Sequence, residues 1–240
     1  MTVQINASTL HQPGSDGRRE RPLAGGPLSM SRFAAFLQAA ASDKAAEAAM
    51  IRREQGLYTA ALDYWALLRS QIVVHHQYPP NDGRGALDAA VELAPIDRQW
   101  QYARAVAEYR RFLTGRRVAL IGQPRPALWL DRGVQVQVNP ELQLVVDGDP
   151  MVVKLYLRSP SAQALSPGTA DALAHLLDLT HGHLGLPVVF DVFRGRVFGP
   201  PRLAGPATVR LRDEARALAQ LWSELDGHAP TERLPTLPAA

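Results

Sequence analysis

Residues 134–158 limit most strongly what this chain can fold into. Their sequence, VQVQVNPELQLVVDGDPMVVKLYLR, places apolar side chains at alternate positions in three short runs. A period of two is typical of β-strands, in which successive side chains point to opposite faces of the sheet. Turn residues at 139–141 and 147–150 separate the runs. The stretch therefore predicts a three-stranded antiparallel meander.

The second turn predicts how the strands pair. If Gly148 and Asp149 form its tip, the apolar residues of the second and third strands lie directly opposite each other. Val134, Val136 and Val138 would share this buried face. A slip of one residue would expose the whole apolar set, so the register is strongly constrained. The expected pairs are Val146 with Met151, Leu144 with Val153, and Leu142 with Leu155.

The opposite face of the meander collects polar side chains and is the first candidate site. In the expected register Gln143 lies opposite Lys154, and Glu141 lies diagonally from that lysine. One interpretation is an ordinary ion pair on a half-exposed face, which contributes little stability. The other is a platform for binding or catalysis. The candidate residues on this face are Glu141, Gln143, Lys154, Tyr156 and Arg158, together with Gln137.

Helical patterns surround the meander. Apolar residues recur at helical spacing in residues 31–51, 58–72, 97–113, 167–182 and 211–225. We therefore expect an α+β fold, in which N-terminal helices precede an α-β-β-β-α-β core centred on the meander and a C-terminal helix follows it. The predicted divisions are a mobile tail over residues 1–28, a helical region over 29–94, the core with its C-terminal helix over 95–227, and a second tail over 228–240.

A second candidate surface is the arginine-rich side of the helix predicted at residues 97–113. Its apolar stripe runs from Tyr102 to Leu113, and three basic residues, Arg104, Arg110 and Arg111, lie off that stripe. Guanidinium groups keep their charge at physiological pH and suit contacts with phosphates. A solvated helix face is the alternative. A net charge of +3 permits nucleic-acid binding without demanding it.

Composition excludes several kinds of site. The chain has no cysteine, so disulfides, thiolate metal sites and cysteine nucleophiles are excluded. No apolar run is long enough to cross a bilayer, and the N-terminus lacks the layout of a signal peptide. The pairs His75–His76 and His181–His183 lack a third ligand at a metal-binding spacing. We expect a cytoplasmic protein without membrane contact.

The order helix, three-stranded meander, helix and strand over residues 97–193 resembles the core of the PD-(D/E)XK nuclease superfamily. That family carries an acid near the start of its second core strand and an acid-X-Lys motif on its third. Pro140-Glu141 resembles the first motif, and Val152-Val153-Lys154 occupies the place of the second. The resemblance implies catalytic roles for Glu141 and Lys154, with Mg²⁺ or Mn²⁺ held in part by Glu141. The segment ending in VVKLYLR is also similar to segments of uncharacterised actinobacterial proteins.

The main departure from the family is Val152, which stands where the motif has an acid and offers no oxygen to a hard cation. In an active enzyme a displaced acid would replace it, and Glu92 and Glu108 are the candidates. We therefore expect a non-catalytic binding or accessory protein on a nuclease-like scaffold, which contacts nucleic acid or a protein partner and needs no cofactor. The alternative is a metal-dependent nuclease with a displaced active-site acid.

Overall fold

The structure is a computed structural model that describes residues 26–54, 63–78, 85–158, 162–200 and 204–227. The predicted tail over 228–240, residues 1–25 of the predicted N-terminal tail, and residues 58–62 of one predicted helix lie outside these ranges. Leu28, at the end of the predicted N-terminal tail, is buried and pairs with Val136.

The described residues form seven α-helices and eight strands. The helices are α1 (Met30–Gln38), α2 (Lys44–Glu54), α3 (Ala66–Gln77), α4 (Gly85–Glu92), α5 (Gln99–Leu113), α6 (Pro167–His181) and α7 (Ala204–Gly227). The strands are β1 (Leu28–Ser29), β2 (Val118–Gly122), β3 (Ala127–Asp131), β4 (Val134–Val138), β5 (Leu142–Val146), β6 (Asp149–Tyr156), β7 (Leu186–Asp191) and β8 (Arg196–Phe198). This order of N-terminal helices, strands with helices, and a C-terminal helix confirms the predicted α+β class.

Two helices show how local sequence sets their position. α6 begins after Ser166, whose hydroxyl accepts a hydrogen bond from the Thr169 backbone N–H at 3.2 Å. Pro167 fits the first turn because no helical bond needs its missing N–H there. α5 buries the predicted stripe that contains Tyr102 and Tyr109. Capping and apolar spacing therefore place both helices where the sequence predicts them.

The strands form two sheets, with the orders β1-β4-β3 and β2-β5-β6-β7-β8. β4 does not pair with β5, so the expectation that residues 134–158 form one meander is wrong. β2 takes the place beside β5 instead, with Leu120 opposite Leu144. The Asp147 N–H donates to the Arg117 carbonyl, and the Asp147 carboxylate accepts the Arg117 N–H, each at 2.9 Å. These bonds fasten β2 to the end of β5, while the turn at Pro140 separates β4 from it.

The β5–β6 hairpin forms, but its turn lies one residue earlier than expected. Asp147 and Gly148 make the tip with φ angles of 54° and 104°, the left-handed conformation that a two-residue Asp-Gly turn requires. The pairing therefore shifts by two residues, and each side chain stays on its predicted side of the sheet. The observed pairs are Val146 with Asp149, Leu144 with Met151, and Leu142 with Val153.

Both faces of the five-stranded sheet are covered. α3, α4 and α5 pack on the side where Leu144 and Leu155 are buried, which we call the α5 face. α1, α6 and α7, together with β4, cover the side where Val152 and Tyr156 are buried, which we call the α6 face. The expected polar surface of the meander is this α6 face. The expectation that it is half-exposed is wrong, because helices and the valines of β4 lie over it.

Candidate functional site

Glu141 and Lys154 form a buried ion pair on the α6 face. Glu141 lies just before β5, and the pairing of Leu142 with Val153 places it directly opposite Lys154, not diagonally from it. The Lys154 ammonium donates to Glu141 Oε1 at 2.6 Å and to the carbonyl of Asn139 at 3.0 Å. The two side chains are only 10% and 8% exposed. The structure therefore brings together the two residues that the nuclease resemblance singles out.

Each carboxylate oxygen of Glu141 already has a partner. Oε1 accepts from the Lys154 ammonium, and Oε2 accepts the backbone N–H of Leu155 at 2.7 Å. A buried carboxylate that is matched by an ammonium and an amide is electrostatically satisfied. The arrangement therefore fastens β5 to β6 and engages both oxygens of the carboxylate within the fold.

Gln143 does not lie opposite Lys154, so that part of the expected register is wrong. It pairs with Val152 because the hairpin turn starts at Asp147. Its side-chain amide donates to the carbonyl of Leu184 at 2.9 Å. Gln143 therefore ties β5 to the short 3₁₀ helix, Gly182–Leu184, that follows α6.

No second acid completes a metal site among the described residues. Val152 is fully buried in the core of the α6 face. Glu92 and Glu108, the candidates for a displaced acid, belong to α4 and α5, which cover the opposite face of the sheet. Across the described ranges, no three His, Asp or Glu side chains are grouped so that they could hold a metal. The residues present do not fit the Mg²⁺ or Mn²⁺ that the family resemblance implies.

Tyr156 and Asp191 form a second polar pair on the α6 face. They are direct neighbours in the parallel pairing of β6 with β7. The Tyr156 hydroxyl accepts a bond from Gln38 Nε2 at 3.4 Å, and burial raises its pKa, an effect that the charge of Arg158 opposes. Gln38 Oε1 accepts the backbone N–H of Ser166 at 2.9 Å. Tyr156 therefore takes part in a chain of bonds from the sheet through α1 to the start of α6.

Asp191 is fully buried and incompletely paired. Its Oδ2 lies 3.5 Å from Arg194, which also donates to the carbonyl of Ala162 at 2.5 Å. Its Oδ1 has no hydrogen-bond partner among the described residues. Burial raises the pKa of this carboxyl, and the charge of Arg194 and the backbone N–H of Leu165 offset the rise only in part. Asp191 has no contact with solvent, so the raised pKa reflects burial within the core.

The three arginines of α5 do not form one free cationic patch. Arg104 stacks its guanidinium over the ring of Phe193 at 4.7 Å. The other two are neutralised by carboxylates, in the ion pairs Arg110–Asp88 at 2.8 Å and Arg111–Glu108 at 2.7 Å. The structure places all three on α5 as predicted but gives each a partner from the chain itself.

Arg110 and Arg111 line a cleft of about 630 Å³ between α4 and α5. The lining also contains two acidic residues of α4, Asp88 and Glu92, and apolar residues that include Ala107. Acidic and basic side chains therefore balance each other around an apolar interior.

Sequence reasoning missed a patch of exposed apolar residues next to this cleft. Leu93, Ile96 and Trp100 are 66%, 87% and 56% exposed; the first two lie in the connection between α4 and α5, and Trp100 lies in the first turn of α5. We call these three residues the tip patch. The ring of Trp100 meets the ring of Phe193 edge-on at 6.3 Å. One signal was available, because Trp100 lies outside the apolar stripe of its own helix.

One histidine of each pair has a hydrogen-bond partner within the fold. His76 Nε2 forms a hydrogen bond of 2.6 Å with the Tyr109 hydroxyl, and burial lowers the pKa of His76 to about 4. Burial lowers the pKa of His75 as well, and the charge of Arg110 adds to the effect. His181 Nε2 lies 2.9 Å from the carbonyl of Arg125. These imidazoles pack within and between elements of the fold.

Comparison with known proteins adds no relative to these observations, since no family model and no curated protein matches the chain. Within the described residues, no helix combines the length and the apolar character needed to cross a membrane. The geometry of the described residues is therefore the basis for assigning a function.

Proposed function

We propose that this protein is a non-catalytic binding protein built on a nuclease-like α+β scaffold. One observation carries the proposal: both oxygens of Glu141 are bonded, to the Lys154 ammonium at 2.6 Å and to the Leu155 N–H at 2.7 Å. Val152 adds no oxygen ligand beside them. The pair is then a structural fastening between β5 and β6, and the set of oxygen ligands that a catalytic metal needs is missing.

The proposal assigns binding to the outer surface of α4 and α5. Lys154 and Tyr156 of the α6 face are buried, so a partner cannot reach them. The cleft and the tip patch are accessible and combine apolar side chains with both signs of charge. Phosphate recognition needs an excess of positive charge, whereas Arg110 and Arg111 are paired with acids. A protein partner therefore suits this surface better than nucleic acid.

A cleavage assay tests the non-catalytic part of the proposal. The purified full chain is incubated with single- and double-stranded DNA and RNA in the presence of Mg²⁺ or Mn²⁺. We expect no cleavage above the metal-free control. Metal-dependent cleavage that disappears in both Glu141→Gln and Lys154→Met, but persists in Glu224→Gln on the exposed side of α7, would overturn it.

A salt titration tests the choice of partner. The affinity of the chain for an oligonucleotide is measured at increasing salt concentration. We expect weak binding without the steep fall that phosphate contacts produce. A steep fall whose logarithmic slope drops by about one in Arg110→Ala or Arg111→Ala would replace the protein partner by nucleic acid.

A further inference from the structure

The α4–α5 surface carries opposite charges on its two helices. Glu92 is exposed at the end of α4, and the side chain of Arg111 on α5 is 75% exposed. Both residues line the cleft. Among the described residues, Glu92 has no ion-pair partner. Arg111 is paired with Glu108 of its own helix through Nη1, and its exposed guanidinium has further N–H donors that can reach an acid of an incoming surface.

Such a surface can pair with its own copy. In a closed dimer of identical chains, a two-fold axis uses the same patch twice, so the acidic wall of each copy meets the basic wall of the other. A surface that carried arginines alone would repel a second copy. The charge pattern of the α4–α5 surface is therefore complementary to the same surface of a second copy.

The tip patch supplies the apolar part of an interface. Leu93, Ile96 and Trp100 are each more than half exposed. Large apolar side chains that lie together on a surface mark interaction sites, and tryptophan is enriched among the residues that dominate binding free energy. The ring contact of Trp100 with Phe193 holds the indole in place, so docking costs little side-chain entropy.

The size of the surface sets the expected affinity. α5 has 15 residues. A helix of that length extends about 22 Å, and two packed helices present a face about 20 Å wide. This footprint is smaller than the roughly 800 Å² per partner of a standard stable interface, so we expect association in the micromolar range.

We propose that a second copy of this chain occupies the α4–α5 cleft, packed through α4, α5 and the tip patch into a two-fold dimer. Glu92 of each copy then faces Arg111 of the other, and Trp100 is covered by the facing helices. The inference rests on the proposed function, because it takes the same binding surface and names its protein partner.

Analytical ultracentrifugation of the full chain tests the dimer. When the protein concentration is raised about hundredfold, we expect the weight-average mass to rise from that of a monomer toward that of a dimer. Trp100→Glu should weaken the association at least about tenfold, because it puts a charge into the apolar part of the interface. Val209→Glu is the matched control, since Val209 is 59% exposed on α7, away from the proposed interface.

Charge reversal separates this interface from any other. Glu92→Arg and Arg111→Glu should each weaken the dimer, because each places like charges across the two-fold axis. The double variant should restore association, since it exchanges the two charges. The inference is overturned if the chain stays monomeric at every concentration. It is also overturned if Trp100→Glu leaves the strength of association unchanged. A double variant that associates no more strongly than either single variant overturns it too. The cleavage assay tests the proposed function independently of the dimer.

Discussion

Glu141 and Asp191 are two buried carboxylates on the same face of one sheet, and their surroundings differ. Glu141 has a partner for each oxygen, in the Lys154 ammonium and a backbone N–H. Asp191 has one oxygen 3.5 Å from Arg194 and another without a partner among the described residues. Burial alone therefore does not identify a functional group. The completeness of its pairing decides whether a buried charge stabilises the fold or costs free energy.

Among the substitutions that test this comparison, removal of the Lys154 ammonium should have the largest effect on the free energy of unfolding. Lys154→Met leaves the Glu141 carboxylate buried without its cation, and an uncompensated buried charge costs about 3–5 kcal/mol. We expect the free energy of unfolding, measured by urea denaturation at neutral pH, to fall by that amount.

The double variant Glu141→Gln/Lys154→Met is the matched control for this change. It removes both charges together, so it should recover much of the stability that the single variant loses. If Lys154→Met lost less than about 1 kcal/mol, the pair would behave like an exposed ion pair, contrary to its burial.

His76 extends the comparison to a half-buried base. Burial lowers its pKa from 6.5 to about 4, so between these pH values His76 is protonated in the unfolded chain and neutral in the folded chain. The stability present above pH 6.5 is lost as the pH falls toward 4. Because the ring is only half-buried, we discount the full shift and expect a loss of about 1–2 kcal/mol. In urea denaturation across this pH range, His76→Phe should flatten the decline, and a variant whose decline is as steep as that of the wild type would contradict this role for His76.

Asp191 should make the stability of the fold depend on pH in the opposite direction. Its pKa is raised, so the folded chain holds the proton more tightly than the unfolded chain does. Stability is then greatest below the ordinary value of 3.8 and falls as the pH rises through the folded pKa. Asp191→Asn keeps the shape without the charge and should remove this decline, with a melting temperature at neutral pH at least equal to that of the wild type. A marked loss at neutral pH would show that the ion pair with Arg194 outweighs the cost of burial.

The ion pair between Arg110 and Asp88 should give the smallest effect. Its side chains are 40% and 37% exposed, in contrast to the buried pair on the sheet. Exposed ion pairs contribute little, so Arg110→Ala should change the free energy of unfolding by no more than about 0.5 kcal/mol. The same urea measurement checks it, and a loss comparable to that of Lys154→Met would erase the contrast between the two pairs.

Local features of the fold were predictable from the sequence. Alternation located β4, β5 and β6, and Ser166 with Pro167 located the start of α6, because these signals depend on neighbouring residues only. The turn tip was misplaced by one residue, since Asp147-Gly148 and Gly148-Asp149 both provide turn chemistry. Each side chain nevertheless stayed on its predicted face of the sheet, because the pairing shifted by two residues.

Strand pairing and burial were not predictable in the same way. β2 and β4 are both short apolar strands, and contacts between Arg117 and Asp147, distant in sequence, place β2 beside β5. The burial of Lys154 and Tyr156 left a trace in residues 151–157, MVVKLYL, a nearly continuous apolar run. Such runs are typical of strands that are covered on both faces. The direct meeting of Glu141 with Lys154 required the true register, which alternation alone does not specify.

Calorimetric titration of Mn²⁺ into the full chain tests most directly whether Glu141 is a structural partner of Lys154 or a metal ligand. We predict that the wild-type chain binds no Mn²⁺ in a manner that depends on Glu141, so the titrations of wild type and Glu141→Gln should coincide. One equivalent of Mn²⁺ bound by the wild type and lost in Glu141→Gln would contradict that prediction.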